Sequence, residues 1–135
     1  MYPLAISQGS LRVKGMRNPF ANMRRTIAAH PSTPQVVLGW LAGDKNVGVR
    51  YAVACNRSTP RAVLERLASD EDTDVRYAVA FNLATPQTTL VSLASDAHED
   101  VCSAVARNPN TPQAAANHAR ARTRESRSSS FKRQP

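Results

Sequence analysis

Val75-Arg76-Tyr77-Ala78-Val79-Ala80-Phe81-Asn82 decides the fold, because the chain carries versions of this octapeptide four times at one interval. Val49-Arg50-Tyr51-Ala52-Val53-Ala54-Cys55-Asn56 lies 26 residues before it, and Val101-Cys102-Ser103-Ala104-Val105-Ala106-Arg107-Asn108 lies 26 residues after it. Met23-Arg24-Arg25-Thr26-Ile27-Ala28-Ala29-His30 is a weaker copy in the same register. Other positions keep step: Thr33-Pro34, Thr59-Pro60, Thr85-Pro86 and Thr111-Pro112; Leu38, Leu64 and Leu90; Leu41, Leu67 and Leu93; Asp44, Asp70 and Asp96. Agreement at so many positions over a constant period implies stacked copies of one supersecondary unit, each burying its apolar face against its neighbours.

Within one unit the apolar spacing is helical. Val75, Ala78 and Val79 share a face by the i, i+3, i+4 rule, which predicts a helix over Thr73–Phe81 with Asp72 as N-cap and Asp74 near the positive helix end. Asn82 and its counterparts Asn56 and Asn108 suit a left-handed residue that ends the helix. A second helix is expected to open at each Thr-Pro, with the hydroxyl as cap and the proline as first helical residue, placing Leu64, Leu67 and Ala68 on one face. Helices this short are unstable alone in water, so stacking must supply most of their stability. The expected fold is therefore an all-α solenoid of four 26-residue helical hairpins without a β-sheet. The recurring Asp70–Arg76 and Asp44–Arg50 relation could be a ladder of ion pairs along the stack, or simply helix-end acids beside solvated arginines.

The boundaries come from where the period starts and decays. Asn18-Pro19 is a good N-cap and first residue for a helix running to about Ala29. Residues 1–17 show no period and are expected to form a flexible basic arm. In the last unit Ala116 and Ala119 replace the leucines, as suits a capping unit with no further neighbour. The repeat domain is expected over 18–122, and the Arg/Ser-rich stretch 123–135 is expected to be disordered.

The pattern VRYAVAxNxxTPxxxLxxLASD resembles the leucine-rich repeat variant family over residues 18–120, and is more distantly similar to HEAT repeats. That resemblance implies a right-handed superhelix in which α-helices alternate with shorter helices, often 3₁₀. Its motif consists of scaffold positions, so no catalytic residue transfers with it. Some members carry a cysteine cluster for an iron–sulfur centre in an N-terminal module; here no cysteine precedes Cys55, and the feature does not carry over.

The formal charge of +8 sits at the ends. Residues 1–25 hold Arg12, Lys14, Arg17, Arg24 and Arg25 without an acid. Residues 119–135 hold Arg120, Arg122, Arg124, Arg127, Lys132 and Arg133 against Glu125 alone, while the stretch between is slightly acidic. These eleven cations are candidate nucleic-acid contacts, and binding through them would be strongly salt-dependent; solubilising ends are the alternative. Cys55 and Cys102 form no CxxC pair and read as buried small hydrophobes. No stretch has the roughly 18 apolar residues of a membrane span, and residues 1–16 lack the apolar run of a secretory signal, so a cytoplasmic location is expected.

No converging acid, base or nucleophile is legible. His30, His98 and His118 fall in different registers, and the carboxylates Asp70, Glu71, Asp72 and Asp74 stand where helix caps are needed. The chain thus reads as a non-enzyme without cofactor or metal, and recognition is the better-supported role. Tyr77 points about 200° from Val75 on the helical wheel, so Tyr51 and Tyr77 share an outward row with Arg25 and Ser103. Trp40, Arg66, Ser92 and His118 form a second row. Tyr, Trp and Arg dominate binding hot spots, which makes Trp40, Arg66, Tyr51 and Tyr77 candidate protein contacts. The alternative is that the tyrosines cover the seam between units and Trp40 covers the thin end of the core.

Overall fold

The computed structural model describes residues 19–133. Among them the chain forms eight α-helices and no strand: α1 (Pro19–Ala29), α2 (Gln35–Leu41), α3 (Val47–Cys55), α4 (Arg61–Leu67), α5 (Thr73–Phe81), α6 (Gln87–Leu93), α7 (Glu99–Arg107) and α8 (Gln113–Phe131). The short members α2, α4 and α6 are α-helical, not 3₁₀. The odd-numbered helices pack side by side in chain order, and α8 lies along α7. Each short helix packs against the long helix after it in the chain.

The core is as thin as the composition implies. Its valines come from the long helices (Val49, Val53, Val75, Val79, Val101 and Val105, all 0% exposed) and its leucines from the short ones, chiefly Leu38, Leu64, Leu67, Leu90 and Leu93. Alanines fill the remaining seams, so the helices approach closely without large rings between them.

Three polar ladders, repeating with the sequence period, tie the helices together. Asn56 Nδ2 donates to the carbonyls of Ala28 (2.8 Å) and His30 (2.9 Å). Asn82 repeats this with Ala54 and Asn56, and Asn108 with Ala80 and Asn82. These asparagines are buried and extended, with φ of −77°, −70° and −71°, which corrects the left-handed expectation. Their role is to satisfy the free carbonyls at the end of the preceding long helix, groups a helix C-terminus always leaves open.

The threonine ladder is a second correction. Prolines 34, 60, 86 and 112 occupy the N-cap positions of α2, α4, α6 and α8, and no side chain caps these helices. The preceding threonine hydroxyls point the other way, Thr59 Oγ1 donating to Val53 O (2.6 Å), Thr85 to Val79 O (2.6 Å) and Thr111 to Val105 O (2.7 Å). Thr33 makes the same bond to Ile27 O. Each threonine therefore closes the long helix that precedes it.

The aspartate–arginine ladder is present and runs between units. Arg24 Nε donates to Asp44 (2.6 Å), Arg50 to Asp70 (2.8 Å) and Arg76 to Asp96 (2.8 Å), each with a second contact from Nη2. Nη1 of Arg50 and Arg76 donates backwards to the Asp44 and Asp70 carbonyls. The same aspartates shape the turns, accepting from the backbone N–H of Asn46, Asp72 and His98 respectively. Asn46, Asp72 and His98 then cap α3, α5 and α7.

At position 122 this device is absent, and the disorder expected from Thr123 gives way to helix through Phe131. Arg122 stands where the period calls for aspartate, so no carboxylate folds the turn, and the Ala- and Arg-rich segment simply continues as helix. The Arg122 side chain reaches Asp96 O at 3.2 Å, and Cys102, in the arginine register, sends its thiol to Asp96 O at 3.3 Å. Burial pushes the Cys102 thiol pKa up, although Arg122 opposes this through its hydrogen bond and charge.

Candidate binding surfaces

Two surfaces differ from the rest of the molecule. The first is the end formed by α1 and α2. Met23 and Ile27 occupy the registers of Val49 and Val53, which are buried because α1 packs over them; on α1 itself Met23 is 61% and Ile27 45% exposed. Trp40 is 74% exposed, against the alternative that it covers the thin end of the core. Its counterparts lean towards the preceding helix pair. Arg66 Nη2 donates to Gly39 O at 3.0 Å, and His118 Nε2 lies 3.1 Å from Ser95 Oγ. Arg66 thus reaches the backbone next to Trp40, as the register implies, and Trp40 is a further exposed apolar side chain, on α2.

The second surface lies along the outer side of the odd-numbered helices. Tyr51 is 41% exposed, whereas Tyr77 is half-buried against the core and stacks on Phe81, with ring centroids 6.2 Å apart and planes at 12°. Phe81 is 63% exposed. It lines a groove of about 310 Å³ with Cys55, Arg57, Leu83, Arg107 and Pro109. Arg107 also borders an adjoining groove of about 320 Å³ between α7 and α8, whose other cations are Arg120, Arg124 and Arg127. No carboxylate lines either groove. Asp74 and Asp100 sit in the first turns of α5 and α7, at the opposite ends of those helices from Phe81 and Arg107.

The basic residues thus separate into groups with different surroundings. Arg24 is held by Asp44 and Arg122 by Asp96 O, so both serve the fold instead of standing as free contacts. Arg25, Arg120, Arg124, Arg127, Lys132 and Arg133 are exposed or partly exposed. Arg12, Lys14 and Arg17, with the rest of the expected basic arm, lie outside the described residues. Phe81, Arg57 and Arg107 are not singled out by the sequence. A signal for two of them is there, since Cys55, Phe81 and Arg107 share one outward register four residues after Tyr51, Tyr77 and Ser103. Cys55 is exposed, against the expectation of burial; Cys102 is buried.

The carboxylate cluster is accounted for by local structure. Asp70 receives Arg50, and Asp72 accepts from the N–H groups of Asp74 and Val75. Among the described residues no three His, Cys, Asp or Glu side chains converge as a metal site requires, and no helix is long and apolar enough to cross a membrane. No family model, curated protein or solved structure matches the chain, so the resemblance to leucine-rich repeat variants rests on its motif.

Proposed function

We propose that the chain is a right-handed α-solenoid of four 26-residue helical hairpins, of the leucine-rich repeat variant kind, working as a non-enzymatic scaffold that binds another protein. The observation that supports this most is the exposure of Met23 and Ile27 on α1, in registers that are fully buried elsewhere, together with that of Trp40 on α2. Apolar side chains at core positions of an end unit are matched by a partner that presents a complementary helical face. No acid occurs before Asp44, so the surroundings of that end favour a partner with an acidic rim. Trp40 is the natural anchor, being large, rigid and solvent-facing.

The test is co-purification of partners with the intact protein and with Trp40→Ala and Met23→Ser variants, after thermal unfolding has shown all three to be folded. A protein retained by the parent chain and lost from both variants supports the reading. A partner held equally by all three contradicts it.

A further inference from the structure

We propose that the paired grooves around Phe81 and Arg107 form a binding site for single-stranded nucleic acid, with bases stacking on Phe81 and phosphates meeting the arginines of α7 and α8. This site is separate from the α1–α2 end and does not depend on the protein-scaffold reading.

The chemistry of the lining carries the argument. Phe81 lies nearly parallel to Tyr77, with centroids 6.2 Å apart, and is 63% exposed in the groove, which puts an aromatic ring within reach of a ligand with its own π face. Arg57 and Arg107 flank the ring within the same groove. Beyond Arg107 the floor is cationic: Arg120, Arg124 and Arg127 follow one another at i, i+4 and i+7 on α8 and so share a face. Asn117 Oδ1 accepts from Arg120 Nη1 at 3.1 Å, orienting that guanidinium without neutralising it.

Among the arginines of α7 and α8, Arg122 is the one turned into the fold, and the carboxylates that stand at the other ends of α5 and α7 do not line these grooves. An aromatic platform continuous with a row of arginines matches a chain of phosphates bearing unstacked bases. Duplex fits less well, since its bases are stacked on one another and cannot reach Phe81. The sequence register explains how the site arises. The rows Tyr51–Tyr77–Ser103 and Cys55–Phe81–Arg107 lose their aromatic rings and gain a cation towards the C-terminus, and the missing turn at Arg122 lets α8 add its arginines alongside.

The experiment is fluorescence-anisotropy titration of the full chain with labelled oligothymidylate, oligouridylate and a duplex of equal length. Parent protein is compared with Phe81→Ala and with Arg107→Gln/Arg124→Gln, all surface changes. The expected result is preference for the single strands, loss of at least fivefold in affinity for Phe81→Ala, and loss of tenfold or more for the double variant. The slope of log affinity against log salt should also fall by about 1.4 in the double variant, from about 0.7 for each phosphate contact removed. Equal or tighter binding of duplex overturns the proposal, as does undiminished binding by either variant. Competition by polyglutamate at equal charge, with no effect of Phe81→Ala, would show a site for acidic protein instead.

Discussion

Ile27 and Val105 occupy equivalent positions of the period, yet Ile27 is 45% exposed and Val105 is fully buried. The difference lies in the preceding neighbour: α5 packs on the side of α7 that carries this register, whereas no described helix precedes α1. At the other end of the row the chain supplies α8, nineteen residues long, which lies against α7. The buried Ala115, Ala116 and Ala119 give α8 a flat inner face, and its outer faces are polar. One end is thus closed by a helix with little apolar surface to spare, and the other presents core-type side chains to solvent. Burial in this architecture belongs to the neighbour as much as to the residue.

The largest expected effect comes from the interior, where both neighbours are in place. Leu67→Ala removes a side chain 2% exposed and should destabilise by roughly 2–5 kcal/mol in denaturant unfolding. A change under about 0.5 kcal/mol would mean that the short helices do not hold the stack.

The comparison sharpens with two truncations in one register. Val105→Ala should cost about 2–3 kcal/mol, from two buried methyl groups at about 0.8 kcal/mol each plus the cavity left behind. Ile27→Ala removes more atoms yet should cost less than about 1 kcal/mol, as a half-exposed position does. Equal costs would show that the α1 end is covered in solution.

A smaller effect distinguishes the ion-pair ladder by pH. Desolvation pushes the Asp44 and Asp96 carboxyls upwards, but the hydrogen bonds from Arg24 and Arg76, the backbone N–H groups of Asn46 and His98 and the arginine charges outweigh it and hold both pKa values below the ordinary carboxylate value. A folded-state pKa below the unfolded one means stability that is present above about pH 4 and lost as pH falls through the folded values. Unfolding free energy measured from pH 6 downwards should drop in that window, and Asp96→Asn should flatten the drop. An unchanged profile in the variant would show that this rung contributes nothing.

Much of the fold is legible in the sequence. Thr73–Phe81, the Asp72 cap and the leucine face emerge as the spacing implies, because short-range periodicity and capping chemistry determine them. Asn82 and Thr85 depart from expectation because both residue types have strong local roles as helix ends and caps, whereas their actual partners lie in another turn or another unit. Thr123–Phe131 departs because Arg/Ser composition suggests disorder, although the replacement of aspartate by Arg122 is visible in the register. At the candidate surfaces the outward positions of Trp40 and Tyr51 emerge from the helical wheel. The adjoining groove of Arg120, Arg124 and Arg127 does not, since Arg124 and Arg127 lie on the part of α8 that runs past its expected end.

The smallest expected stability change is at Trp40, where truncation to alanine should move the unfolding free energy by less than about 0.5 kcal/mol, as at other exposed positions. Trp40 is the chain's one tryptophan, so its fluorescence reports on the α1–α2 end directly. In the isolated full-length protein the expected emission is red-shifted and quenched by acrylamide nearly as well as free indole, shifting to the blue when a protein partner binds. Blue-shifted, quencher-resistant emission from the protein alone, independent of concentration, would show that this end is already closed and would contradict the central claim that it is open to a partner.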